Sequence, residues 1–144
     1  MKGGDTIRTV LFCLTLFCTA IAEDTLGVAS IDRVYDGDTF YANLYSVPDI
    51  FGKHIGIRFL WIDAPEIRGS DSCTTAAAIR ARDWLTKRLE NACRIELRDV
   101  KRDKYFRIDA VVWVDGVNIN QELVDSGYVM PYDGKDPRPT WICK

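Results

Sequence analysis

From Ile31 onward the apolar residues fall into two rhythms. Ile31–Val34 and Thr39–Leu44 are rich in β-branched and aromatic residues and flank Asp36-Gly37, a pair that turns one strand into an antiparallel neighbour. Ile55–Ile62 predicts a third strand, nearly all apolar around Arg58. The period then lengthens. Ala77, Ala81, Trp84, Leu85 and Leu89 recur at helical spacing, predicting a helix over Ala76–Leu89 with Thr74 or Thr75 at its cap. Ile95–Leu97 and Ala110–Val114 predict two more strands, the second running into the turn Val114-Asp115-Gly116-Val117. Asn118 caps a short helix that ends near Ser126, with Gly127 just beyond it. From Pro131 the prolines predict an irregular tail. Three strands, a helix, two strands and a short helix suit a β-barrel with helices, an α+β arrangement compatible with a five-stranded OB-fold. The pattern by itself leaves other small α+β folds open.

The first 22 residues follow neither rhythm. Lys2 and Arg8 precede a mostly apolar run, Val10–Ala22, that is shorter than the ~20 apolar residues a bilayer span needs. It closes on Ala20-Ile21-Ala22, a small-x-small cleavage pattern. The expectation is a signal peptide over 1–22 and one domain over 23–144, with a secreted or periplasmic location. Phe17 is too bulky for a lipoprotein cleavage site before Cys18; an uncleaved membrane anchor is the alternative.

A net charge of −2 does not mark the chain as a nucleic-acid binder, although Arg94, Arg98, Lys101, Arg102, Lys104 and Arg107 make one segment basic. With a single histidine and no paired-cysteine motif, the sequence argues against a zinc site of the usual ligand types. Beyond the leader stand Cys73, Cys93 and Cys143. The first two flank the long helix, whose ~16 residues at ~1.5 Å each would hold them roughly 24 Å apart. A disulfide needs Cα atoms within about 7 Å. Cys143, in a tail expected to lie across the barrel, can reach one of the two; Cys73, in a loop where the tail can dock, is the favoured partner, leaving Cys93 a free, packed thiol. Three unpaired thiols are the alternative.

Three clusters carry the chemistry: Asp36-Gly37-Asp38-Thr39, the run Arg58 to Glu66, and Asp103-Lys104-Tyr105-Phe106-Arg107. Hydrolysis of a phosphodiester needs a cation on the phosphate, a positioned water, and donors for the charge that builds in the transition state. Asp38 and Asp63 are hard oxygen ligands suited to calcium. Glu66 is a spare carboxylate nearby, and Arg58 and Arg107 have planar forks for bidentate phosphate contacts. Taken singly, each cluster has a plainer explanation: a hairpin turn, a paired charge in a strand, a loop with a proline, a solvated basic edge. Their joint occurrence in this order does not.

In order and spacing the clusters resemble the staphylococcal nuclease family, from about Ile31 to Tyr132. The eight-residue step from Arg58 to Glu66 matches the family's step between its first arginine and its catalytic glutamate. The resemblance implies a five-stranded OB-fold with Ca2+ held by Asp38, Asp63 and the backbone carbonyl of Ala64. It implies Glu66 as the residue that orients or deprotonates water, and Arg58 and Arg107 as the phosphate clamps. Lys104 and Tyr105 match positions that hold a terminal phosphate, and Tyr132 lies near a nucleotide-stacking tyrosine. The substrates implied are DNA and RNA, handled by a monomer with no stable protein partner and no membrane attachment after cleavage. Ala64 stands where the family often has threonine, and Phe106 where it often has glycine. A non-catalytic OB module that binds nucleic acid or protein is the rival reading. Such a module is expected to have lost Arg58, Glu66 or Arg107, and all three are present. A calcium-stabilised structural protein would account for the aspartates but not the arginines.

Overall fold

The computed structural model describes residues 25–135 and 137–141. The segment 1–22, expected to be a signal peptide, and Cys143 lie outside these residues. Five strands form the frame: β1 (Leu26–Val34), β2 (Thr39–Leu44), β3 (Ile55–Phe59), β5 (Ile95–Arg102) and β6 (Ile108–Val114). Their order is β3-β2-β1-β5-β6, and a parallel pairing of β3 with β6, Ile57 opposite Ile108, closes the sheet into a barrel. Closure leaves the frame without the unpaired edges of an open sheet. The OB-fold expected from the sequence is the one observed.

The barrel is filled from every strand. Phe40, Ile57, Phe59, Leu97, Val112 and Val114 are all buried, and Phe40 meets Phe59 edge to face with ring centroids 5.9 Å apart. Helix α2 (Ser72–Glu90) covers one end through Ala78, Ala81, Leu85 and Leu89. It starts earlier than the periodicity indicates. Asp71, not Thr74 or Thr75, is the cap, accepting hydrogen bonds from the Cys73 and Thr74 amides at 2.9 and 3.0 Å. Helix α3 (Ile119–Asp125) is capped by Asn118 as expected, and Gly127 follows it in left-handed geometry at φ 72°.

The remaining differences lie where tertiary contacts override pattern. Strands β1 and β5 are longer than their apolar runs, so most of the basic segment is strand. A short helix, α1 (Asp49–Gly52), was not expected. Above all, the single strand anticipated over Ile55–Ile62 is broken. After Phe59 the chain turns at Leu60-Trp61, with Trp61 at φ 64°, and resumes as β4 (Ile62–Asp63). β7 (Val117–Asn118) extends the sheet beyond β6, and β4 pairs with β8 (Met130–Pro131). The break is held by buried Asn120 of α3, which donates to the Leu60 carbonyl at 2.7 Å and accepts from the Val112 amide at 2.8 Å. A strand continuing straight would carry Asp63 past the barrel end; the break aims it back across the end.

Cys73 is disulfide-bonded. Because the expected bridge involves Cys143, that pairing is not part of the described structure. Cys93 is free, as expected, but exposed rather than packed.

Candidate active site

A cleft of about 890 Å³ opens across one barrel end, lined among others by Asp36, Asp38, Arg58, Glu66, Arg107 and Arg138. Its floor begins at the β1–β2 hairpin. The Tyr35 amide donates to the Thr39 carbonyl at 2.9 Å, and Asp36 accepts from the Asp38 amide at 3.1 Å. Gly37 is required here by space: a Cβ on it would stand 2.8 Å from the Ala81 Cβ and 3.0 Å from that of Ala64. Its absence lets the turn pack against α2 and the loop after β4.

That packing buries Asp38 to 4 % exposure. One carboxylate oxygen accepts the Thr39 hydroxyl at 2.8 Å, the other the Ala64 amide at 3.1 Å. Asp63, 3 % exposed, arrives from the re-aimed β4. Between the two stands Arg58, whose Nη2 lies 3.7 Å from Asp38 Oδ2 and 3.6 Å from Asp63 Oδ1. Arg58 is the register partner of Thr39 on one side and Asp109 on the other, so barrel closure itself sets its place.

The opposite wall is the β5–β6 loop. Asp103 gathers it: Oδ1 accepts the amides of Tyr105 at 2.7 Å and Arg107 at 2.9 Å, and Oδ2 accepts Arg107 Nε at 2.7 Å. Gly56 leaves room for the Arg107 stem, whose Cγ would lie 3.0 Å from a Cβ there. Phe106 takes φ 64°, the left-handed conformation for which the family's glycine is suited. Its ring and carbonyl are both held by Arg102, at 4.1 Å and 3.2 Å respectively. The substitution thus leaves the loop formed. Lys104 lies over the Tyr105 ring at 5.0 Å, and both line the cleft with Tyr132, whose amide donates to the Trp61 carbonyl at 2.9 Å.

Asp38, Arg58, Ala64, Glu66, Lys104, Tyr105, Arg107 and Tyr132 thus line one cleft, and Asp63 meets it through Arg58. The profile of the family described as staphylococcal nuclease homologues matches residues 56–140. The chain belongs to the staphylococcal nuclease family. The match spans Arg58 to Arg138 and leaves out the Asp36–Asp38 turn. Among curated relatives, endonuclease YncB of Bacillus subtilis is 33 % identical over 68 % of this chain and 44 % of its own length. The SPbeta prophage-derived endonuclease YokF of the same organism is 32 % identical over 68 % of this chain and 32 % of its own. The thermonuclease of Staphylococcus hyicus is 29 % identical over 66 % and 53 %. The chain thus spans about half or less of the relatives it matches.

Four residues at this nuclease-family site carry no assignment from sequence. Asp36 is drawn into the carboxylate cluster, where burial, then the charge of Asp38, push its carboxyl up to about 7. Asp103 is the organiser of the arginine loop; its position four residues before Arg107, ahead of a tight turn, was the available signal. Arg138 had none. It reaches in from the tail, 75 residues beyond Asp63, and donates to Asp63 Oδ1 from Nε at 3.1 Å and Nη2 at 2.5 Å, and to Glu66 Oε1 from Nη1 at 3.1 Å. Burial disfavours its charge, but Asp63 and Glu66 together raise its pKa. Asp109 is a further carboxylate in the cleft, with Oδ1 buried and unpartnered among the described residues, and burial raises its pKa.

The donor set suits a hard cation. Among the described residues no three His, Cys, Asp or Glu side chains can enclose an ion. Two buried carboxylates facing an open cleft leave coordination positions for backbone, water or phosphate oxygen, a habit of divalent oxygen-ligated cations.

Proposed function

We propose that this chain is a secreted or periplasmic, calcium-dependent nuclease that hydrolyses phosphodiester bonds of DNA and RNA with little sequence preference. The observation that carries the reading is the convergence of Asp38, Glu66, Arg58 and Arg107 on one cleft, with Arg58 lying between Asp38 and the buried Asp63. The endonuclease and thermonuclease names of the relatives support it, and the leader pattern at 1–22 supports export.

Asp38 and Asp63, with the Ala64 carbonyl, would hold the cation, which when bound would neutralise the phosphate and polarise its oxygens. Glu66, 56 % exposed on its side chain and open to water, takes a proton from the attacking water. As the water oxygen bonds to phosphorus and the bond to the leaving oxygen breaks, Arg58 and Arg107 balance the charge on the equatorial oxygens. Lys104 and Tyr105 bind a terminal phosphate at the outer lip, and Tyr132 stacks on a base.

The test is incubation of the purified protein with plasmid DNA and with total RNA, first in roughly millimolar calcium, as expected of a weak, open oxygen site, then in excess chelator. Cleavage of both substrates that stops on chelation is expected. Cleavage unaffected by chelator would remove Asp38 and Asp63 from their roles, and no cleavage under any divalent cation would favour a non-catalytic binding module.

A further inference from the structure

Asp63 Oδ1 is over-subscribed. Arg138 donates to it twice, and the Arg58 guanidinium stands 3.6 Å away. The same Arg138 reaches across to Glu66. One tail side chain thus closes the carboxylate of β4 and the carboxylate of the loop beyond it into a single charge-assisted bridge. The contact is not an incidental surface pair: Asp63 is 4 % exposed on its side chain, and the guanidinium, 45 % exposed, meets it from the cleft side. Two guanidiniums stand beside one carboxylate oxygen, Arg58 shared with Asp38 and Arg138 shared with Glu66. A divalent cation added there meets like charge at close range, where the low local dielectric strengthens repulsion. Arg58 is fixed by strand register and cannot withdraw far. Arg138 belongs to a segment without regular secondary structure, attached through prolines at 137 and 139, and can.

We propose that Arg138 is the internal counter-ion of the cation site: it holds Asp63 and Glu66 while no cation is bound, and a divalent cation must displace it from Asp63 to bind. The inference rests on the proposed cation role of Asp63. Its consequence is a raised threshold: the site fills only where free divalent cation is plentiful, and the tail loosens as it fills. By linkage, each occupant of Asp63 weakens the other by the same factor.

Calcium titration followed by isothermal calorimetry, with the whole protein and no nucleic acid present, reads this without reference to activity. Arg138→Ala and Arg138→Gln are expected to bind calcium about tenfold more tightly than the unaltered chain, within the usual span of coupling between competing ligands. Arg138→Lys, which keeps the charge, is expected to stay near the unaltered value. A merely structural arginine would show the opposite, with weaker binding in every variant. Unchanged or weaker affinity in both neutral variants overturns the proposal while leaving the cation reading intact. No binding by any of the chains overturns both. Hydrogen exchange on the unaltered protein serves if a variant fails to fold: calcium is expected to speed exchange at the amides of Arg138, Thr140 and Trp141, and slower exchange there would also overturn the proposal.

Discussion

The two walls of the cleft are built in different ways. Asp38, Arg58 and Asp63 stand on or beside strands, and their positions follow from register: Thr39 opposite Arg58, Arg58 opposite Asp109, Asp63 opposite Met130. Moving Asp38 or Arg58 means breaking the barrel, and moving Asp63 means breaking the β4–β8 pair. Arg107 stands at the end of a loop held chiefly by one carboxylate, Asp103, and by the Arg102–Phe106 contact across the turn. The first wall is rigid because it shares the core's closure; the second is ordered by local hydrogen bonds on the surface. A rigid wall suits groups that must hold charge apart in a fixed geometry. A locally built one tolerates change, which is why Phe106 can replace glycine there.

Substitutions separate the two walls by size of effect. On the rigid wall, Arg58→Lys keeps the charge but not the fork, and the rate is expected to fall on the order of a hundredfold with an unchanged melting temperature. Glu66→Gln should do comparable harm. Steady-state kinetics alongside thermal unfolding check both, and near-normal rates in folded protein would point to a binding module. On the loop wall, Asp103→Asn keeps the shape of the side chain but loses charge-assisted hold on Arg107. A loss of about tenfold in kcat/KM is expected, since slight misplacement of a clamp is costly. A loss as large as that of Arg58→Lys would mean the loop is as rigid as the strands.

Stability should show the contrast in smaller steps. Phe106→Gly removes left-handed strain worth about 1–2 kcal/mol but adds unfolded-state freedom of about 0.5–1 kcal/mol. A gain of up to about 1 kcal/mol in denaturant unfolding is expected, and a clear loss would show that the Arg102 contact outweighs the strain. A pH-dependent effect concerns Asp36. Its folded carboxyl titrates near 7 through burial and the charge of Asp38, whereas an unfolded aspartate titrates near ~3.9. The folded state therefore holds this proton more tightly. The stability it contributes is full below about pH 4 and is lost as pH rises through about 7. In chelator, Asp36→Asn is expected to flatten the fall of melting temperature over that window; an unchanged slope would place the titration elsewhere.

Legibility followed the same division. Asp38, Arg58, Asp63, Glu66 and Arg107 were readable because each lies in a short run whose spacing and residue types are distinctive. The turn of Asp36-Gly37-Asp38 was readable as a hairpin but not as a fourth carboxylate, since burial under α2 is what moves Asp36. The strand break at Leu60-Trp61 was invisible: an unbroken apolar run predicts an unbroken strand, and its cause is Asn120, 60 residues away in sequence.

What the sequence determined by itself is the set of parts: the alternation that makes five barrel strands, the helical spacing of α2, the caps at Asn118 and Gly127, and the clustered carboxylates and arginines. These depend on neighbours within a few residues, where periodicity and turn chemistry act. What only the tertiary structure decided is which charges meet. The parallel closure of β3 on β6 seats Arg58 between two aspartates, and the return of the tail sets Arg138 on Asp63 and Glu66. Local sequence does not encode such pairings, because they arise where the chain folds back over distances at which no side-chain pattern remains in phase.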